Sequence, residues 1–127
     1  MNIQMEKTSE YWLLEQKCKG LLEIDGIRFA GIIGPMGRLV AGGFKEGIKP
    51  FVDDADAKKM YMELVLRVSM RKDFDYNLGP VKYAASRREK VVMMSFPISS
   101  NVLLISTEPN VDIDKTAHKV MKIVGLG

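Results

Sequence analysis

The chain has 127 residues, 46% hydrophobic and 28% charged, with a formal net charge of +3 and one cysteine. That length holds one core and not two, and no stretch nears the roughly twenty apolar residues that a membrane-crossing helix needs. Lone Cys18 excludes an intramolecular disulfide and a cysteine-only zinc cage, and the mild positive charge permits an acidic partner without requiring one.

The opening MNIQMEKTSE has no apolar run after its first charge, so it is not read as a secretory signal, and a cytoplasmic protein is expected. In SEYWLLEQKCKGLLEIDG, Tyr11, Leu14, Cys18 and Leu21 share one helical face. A helix is predicted from about Ser9 to Glu23, capped by Thr8 or Ser9 and left through an Asp25-Gly26 turn.

FAGIIGPMGRLVAGGF follows, and its glycines fit either a phosphate cradle or a hairpin. Glycines 31, 34 and 37 give GxxGxxG, which is neither the dinucleotide fingerprint nor the GxxxxGK[ST] loop. A cradle also needs a helix to start behind it and aim its N–H groups at the anion. Strand-like RLVAGGF stands there instead, so the stretch is read as a β-hairpin with Pro35 and Gly37 in its turn.

KEGIKPFVDDAD is loop chemistry ending in aspartates that suit a helix start. The helix it opens, from about Asp54 to Lys72, carries two apolar stripes. Met60, Tyr61, Leu64, Val65 and Val68 form one; Met62, Leu66 and Met70 form a second, four residues apart, with Lys59, Glu63 and Arg67 between the two on one flank. A helix that covers only its own sheet needs one stripe. The second predicts that this helix also meets another surface, and methionines suit an adaptable contact.

After turn-like DFDYNLGP, VKYAAS alternates like an edge strand, with Val81, Tyr83 and Ala85 on one side. EKVVMMSF and NVLLIST are nearly continuous apolar runs, which implies cover on both sheet faces. The short links SRRE and PISSN predict antiparallel neighbours. A final helix starts at Asp112 or Asp114, buries Ile113, Ala117, Val120, Met121 and Val124, and ends at Gly125. The order α-β-β-α-β-β-β-α predicts an α+β three-layer sandwich in a single domain.

DGIRFAGIIGPMGRLVAGG, the long helix and the three-strand meander with its closing helix together resemble the roadblock family of dynein light chains and bacterial polarity regulators. That family in turn resembles longin and profilin-like folds, and the chain is also similar to small uncharacterised archaeal proteins. The likeness covers about residues 9–124. It implies a five-stranded antiparallel sheet, with the first and last helices on one face and the middle helix on the other. It also implies a homodimer whose middle helices lie side by side and whose third strands pair across the two-fold axis, placing Met62, Leu66, Met70, Val81, Tyr83 and Ala85 at the interface. Family members act as non-catalytic platforms for small GTPases or signalling assemblies, and no catalytic motif transfers.

The remaining candidates for chemistry read as structural. His118 is the only histidine and has no placed partner for catalysis or metal binding. Cys18 reads as a buried hydrophobe. The acids Asp53, Asp54, Asp56, Asp112 and Asp114 read as helix caps, without the glycine and glutamate of an EF-hand. Arg71, Lys72, Lys82, Arg87, Arg88 and Lys90 gather basic charge, and Arg87, Arg88 and Lys90 are the candidate anionic contacts. The expectation is a scaffold or adaptor with no cofactor, metal, membrane or nucleic-acid ligand. The alternatives are a small-ligand sensor with a pocket between sheet and helix, suggested by the mixed apolar and polar loop KEGIKPFVDD, and weak nucleic-acid binding through Arg87-Arg88.

Overall fold

A computed structural model describes the backbone of residues 3–126 and the side chains from residue 10 onward. Helix α1 (Ile3–Leu22) leads into the hairpin β1 (Ile27–Ile33) and β2 (Leu39–Phe44), and α2 (Asp54–Lys72) follows. A one-turn helix α3 (Asp75–Leu78) precedes β3 (Ala84–Arg87), β4 (Val92–Ile98) and β5 (Asn101–Thr107), and α4 (Ile113–Val124) closes the chain. The five strands form one antiparallel sheet in the order β2-β1-β5-β4-β3.

Alternation along the strands divides the core between two faces. Ala30, Ile32, Met94, Phe96, Leu103 and Ile105 meet Cys18 and Leu21 of α1 and Ala117 and Val120 of α4. Phe29, Ile33, Met93 and Leu104 meet Tyr61, Leu64 and Val65 of α2. The expected three layers are therefore present, with α1 and α4 on one face and α2 on the other.

The first helix begins earlier than the sequence predicts. Gln4, Met5, Glu6 and Lys7 are good helix formers with no breaker among them, so the helix runs through Thr8 and Ser9, whose side chains lie outside the described residues. Tyr11, expected on the buried face, is exposed together with Trp12 and Leu13. Burial starts only with Leu14 and is complete at Cys18 and Leu21, where the helix lies on the sheet.

Cys18, 1% exposed, is the small buried hydrophobe that its place on the stripe implies. Desolvation, and secondarily the charge of Glu15, pushes its thiol from 9.0 up to about 11. The folded protein thus holds the thiol proton more tightly than the unfolded chain. That contribution is whole below pH 9.0 and is lost as pH rises toward about 11; it amounts to roughly 2–3 kcal/mol at most. In urea unfolding followed from neutral to alkaline pH, Cys18→Ala is expected to lose stability less steeply than the parent protein; equal slopes would clear the thiol of any part in it.

The hairpin reading of the glycine-rich stretch holds. Gly34 N–H donates to the Arg38 carbonyl at 2.8 Å, and Gly37, with φ of 77°, turns the chain between them. The bond from Lys45 N–H to the Arg28 carbonyl fixes which β2 groups face inward, so those of Gly42 face out. A carboxylate oxygen of Glu15 accepts the Gly42 N–H at 2.7 Å. Helix α1 thereby occupies the centre of the β2 edge, a position that would otherwise invite strand addition.

At the other edge, β3 is shorter than the expected VKYAAS. Its register pairs Ala84 with Ser95, which would next place Lys82 opposite Pro97. Proline has no N–H to give the ladder, so pairing stops at Ser95 and residues 81–83 leave the sheet. The β4–β5 hairpin turns through Ser99 and Ser100 with Ile98 opposite Asn101, and among the described residues Ser99 is the non-glycine residue with positive φ, 54°. Ser99→Gly is expected to add about 1 kcal/mol of stability by relieving that conformation. A rise of a few degrees in the thermal midpoint would show it.

Candidate functional site

Helix α2 is set in place by its ends. Asp53 caps it, its carboxylate accepting the Asp56 N–H at 2.8 Å, and Asp54 and Asp56 face the positive end of the helix while Arg71 and Lys72 face the negative end. Asp112 caps α4 in the same way, accepting the Lys115 N–H at 3.0 Å. Both acidic groups therefore serve as caps, and among the described residues no cluster of three or more histidine, cysteine or acidic side chains could hold a metal ion.

Tyr61, Leu64 and Val65 turn toward the sheet, and Val68 is buried with them. Met62, Leu66 and Met70 point away from it and are 43%, 56% and 67% exposed. The stripe does not end with the helix. Asp73 keeps helical dihedrals (φ −59°, ψ −21°), so Phe74, four residues beyond Met70 and 57% exposed, extends the row. The row spans roughly 18 Å of helix. At its start the hairpin tip abuts α2: a Cβ on Gly37 would stand 3.2 Å from the Met62 Cα, and the neighbouring Met36 is exposed. An exposed ion pair between Glu63 and Arg67, 3.3 Å, flanks the row. Exposed apolar side chains lined up this way, rimmed by charge, form a continuous row rather than scattered exposure.

The exposed stripe of Met62, Leu66 and Met70 is the one the sequence predicts; the exposure of Phe74 beside it and of Met36 is not. Counting in fours past Met70 reaches Phe74, but the turn-like DFDYNLGP hides that the helical geometry persists there. Met36 carries no such signal, since only the folded hairpin sets its neighbour Gly37 against Met62.

The strand residues of the candidate site separate. Ala85 is exposed on the edge strand β3. Val81 lies before the strand and lines a cavity beside α2. Tyr83 turns to the opposite face of the sheet, its ring 5.9 Å from Phe96 and its hydroxyl donating to the Asp114 carboxylate. That hydrogen bond, with burial and the nearby Asp114 and Asp112 charges, raises the Tyr83 phenol above its usual range.

The basic candidates are similarly divided. Arg87 donates to the carbonyls of Pro109 and Val111, the latter at 2.9 Å, and so ties β3 to the segment before α4. Lys90 stands 5.6 Å from the Phe51 ring, which Arg28 also covers at 4.4 Å. Arg28 is buried, 3.3 Å from Glu108, and donates to the Lys49 carbonyl at 3.1 Å. Arg88 is exposed in the connecting turn. The KEGIKPFVDD loop is thus pinned to the sheet by stacked cations, and the cavity between sheet and helix lies at the other end of α2. His118 is exposed on α4, and among the described residues no helix is long and apolar enough to cross a membrane.

No curated protein matches this chain by sequence. Several solved structures share its fold. A Roadblock/LC7 domain from Streptomyces avermitilis superposes with a TM-score of 0.66 at 13% identity, over 88% of this chain and 92% of that one. A structure described as MglB with a tetrameric arrangement gives 0.65 at 10% identity, over 91% and 90%. The gliding protein MglB from Thermus thermophilus gives 0.60 at 11% identity, over 89% and 92%. The α-β-β-α-β-β-β-α order and the five-stranded antiparallel sheet are accordingly those of the roadblock fold. Residues 7–127 match a family of unknown function (DUF6659), and the chain belongs to that family, on a roadblock-like fold.

Proposed function

We propose that the protein is a non-catalytic homodimer that serves as a scaffold or regulatory adaptor, with a small GTPase or another signalling protein as its partner. The observation that carries this reading is the row Met62, Leu66, Met70 and Phe74, exposed on the face of α2 turned away from its own sheet. A second copy of the same row would cover it, because one i, i+4 ridge of side chains packs into the grooves of another. The same subunit offers a matching edge. The hydrogen bond from Arg88 N–H to the Val91 carbonyl sets the β3–β4 phase, so the N–H groups of Ala85 and Arg87 face out from the sheet. Two β3 strands related by a two-fold axis could exchange those bonds, and the exposed edge would disappear.

The β2 edge is not equivalent, since Glu15 holds its central N–H. That asymmetry favours dimerisation at β3. Assembly of this kind fits the fold's other members to the extent that an MglB structure is described as tetrameric. A catalytic reading finds little support in the groups present. His118 stands exposed on α4, and Cys18 is buried with its thiol pushed up to about 11, away from the reactive thiolate range. Multi-angle light scattering of the purified chain tests the proposal. Twice the chain mass, held on dilution into the low micromolar range, is the expected result, and a monomer at every concentration would overturn it.

A further inference from the structure

A cavity of about 160 Å³ opens between the end of α2, the residues from Asp75 to Val81, and β4. It exists because β3 does not follow β4 beyond Ser95, which leaves that part of β4 uncovered on the α2 side. Its apolar walls are Val68, Pro80, Val81 and Pro97. Ser95 is 5% exposed and makes no side-chain hydrogen bond among the described residues, yet no fully enclosed polar side-chain atom there is unpaired. The hydroxyl therefore opens onto the cavity. Arg71, half-buried on the same wall, forms no ion pair among the described residues, not even with Asp75, which also lines the cavity. Lys72 is exposed, and its ammonium leans away to the Ser99 carbonyl at 3.4 Å.

A guanidinium and a hydroxyl partly withdrawn from water, without protein partners, are an incomplete polar set. We infer that this cavity binds a small monocarboxylate with a short aliphatic tail. The carboxylate takes the planar fork of Arg71 and the hydroxyl of Ser95, and the tail lies against Val68, Val81 and the two prolines. Asp75 repels a second negative charge, which disfavours phosphate and dicarboxylates. A cavity of about 150 Å³ takes benzene, so this one admits about six non-hydrogen atoms, the size of butyrate. The inference does not depend on the dimer, since every lining group belongs to one subunit.

Titration of the full-length protein with butyrate, followed by NMR of backbone amides and arginine side-chain N–H groups, tests this. Saturable shifts are expected at the Arg71 side chain and at the amides of Val81 and Ser95. Butyramide, which has the same shape without the charge, is expected to bind at least tenfold more weakly, and n-butylamine and inorganic phosphate are expected to leave these signals unmoved. Arg71→Gln is expected to weaken butyrate at least tenfold and Ser95→Ala several-fold, with the rest of the spectrum unchanged. Absence of saturable shifts, equal binding of butyramide, or equal binding of phosphate would each overturn the assignment. The butyramide and phosphate comparisons use the unaltered protein, so they decide the matter even if a variant fails to fold.

Discussion

Gly42→Ala is expected to cost the fold well over 3 kcal/mol, while Gly43→Ala, one position along the same strand, is expected to be neutral or mildly stabilising. The two glycines look alike in the sequence and differ entirely in their surroundings. Gly42 has φ of 89°, and a Cβ there would stand 2.1 Å from the Ala30 carbonyl oxygen, 2.9 Å from the Gly31 Cα and 2.9 Å from the Cys18 Sγ. Two of those atoms are backbone of strand β1, so no side chain can swing aside to make room. The positive φ adds a conformational cost of about 1–3 kcal/mol. It also aims the Gly42 N–H at Glu15, so relaxing the backbone would leave that half-buried carboxylate without its donor. Nothing stands within 4 Å of a Cβ at Gly43, and there the substitution only narrows the freedom of the unfolded chain. With total stabilities of about 5–15 kcal/mol for domains of this kind, urea denaturation should separate the two variants plainly. A cost below about 1 kcal/mol for Gly42→Ala would mean that the hairpin does not have this geometry.

That contrast shows where sequence reasoning stops. Periodicity and turn chemistry reveal where elements begin and end, because those signals are local. The bounds of α2 and the caps of α4, Asp112 and Gly125, follow from residues within a turn of each end. Contacts made across the fold leave no such trace. Tyr83 looks like one tooth of an alternating strand, yet Pro97, far along the chain, ends the ladder beside it and frees its ring to pack on Phe96. Arg87 looks like free surface charge, and the carbonyls that occupy it belong to the segment before α4. The cavity at the end of α2 is invisible for the same reason: Arg71 and Ser95 come together only because β3 is short. The second stripe of α2 was legible because its evidence is a spacing within one helix.

Leu66→Glu is expected to leave the subunit folded and to dissociate the proposed dimer. Position 66 is 56% exposed in the isolated subunit, glutamate is a good helix former, and changes at such surfaces usually stay within about 0.5 kcal/mol. In the proposed dimer the same position lies near the middle of the row from Met62 to Phe74. A two-fold axis brings both copies of the new charge into one apolar contact. Each carboxylate left without a partner costs roughly 2–3 kcal/mol, so the pair weakens association by about a thousandfold or more. Circular dichroism should be unchanged while light scattering falls from twice the chain mass to the single mass. Ala85→Pro divides the interface further. Its lost N–H faces out from the β3 edge, which the lone subunit tolerates, but strand pairing across the axis does not. If Leu66→Glu dissociates the dimer and Ala85→Pro leaves it intact, the helices hold the dimer and the strands merely meet. If both variants remain dimeric, the row on α2 is not where the copies join, and the scaffold reading loses its foundation.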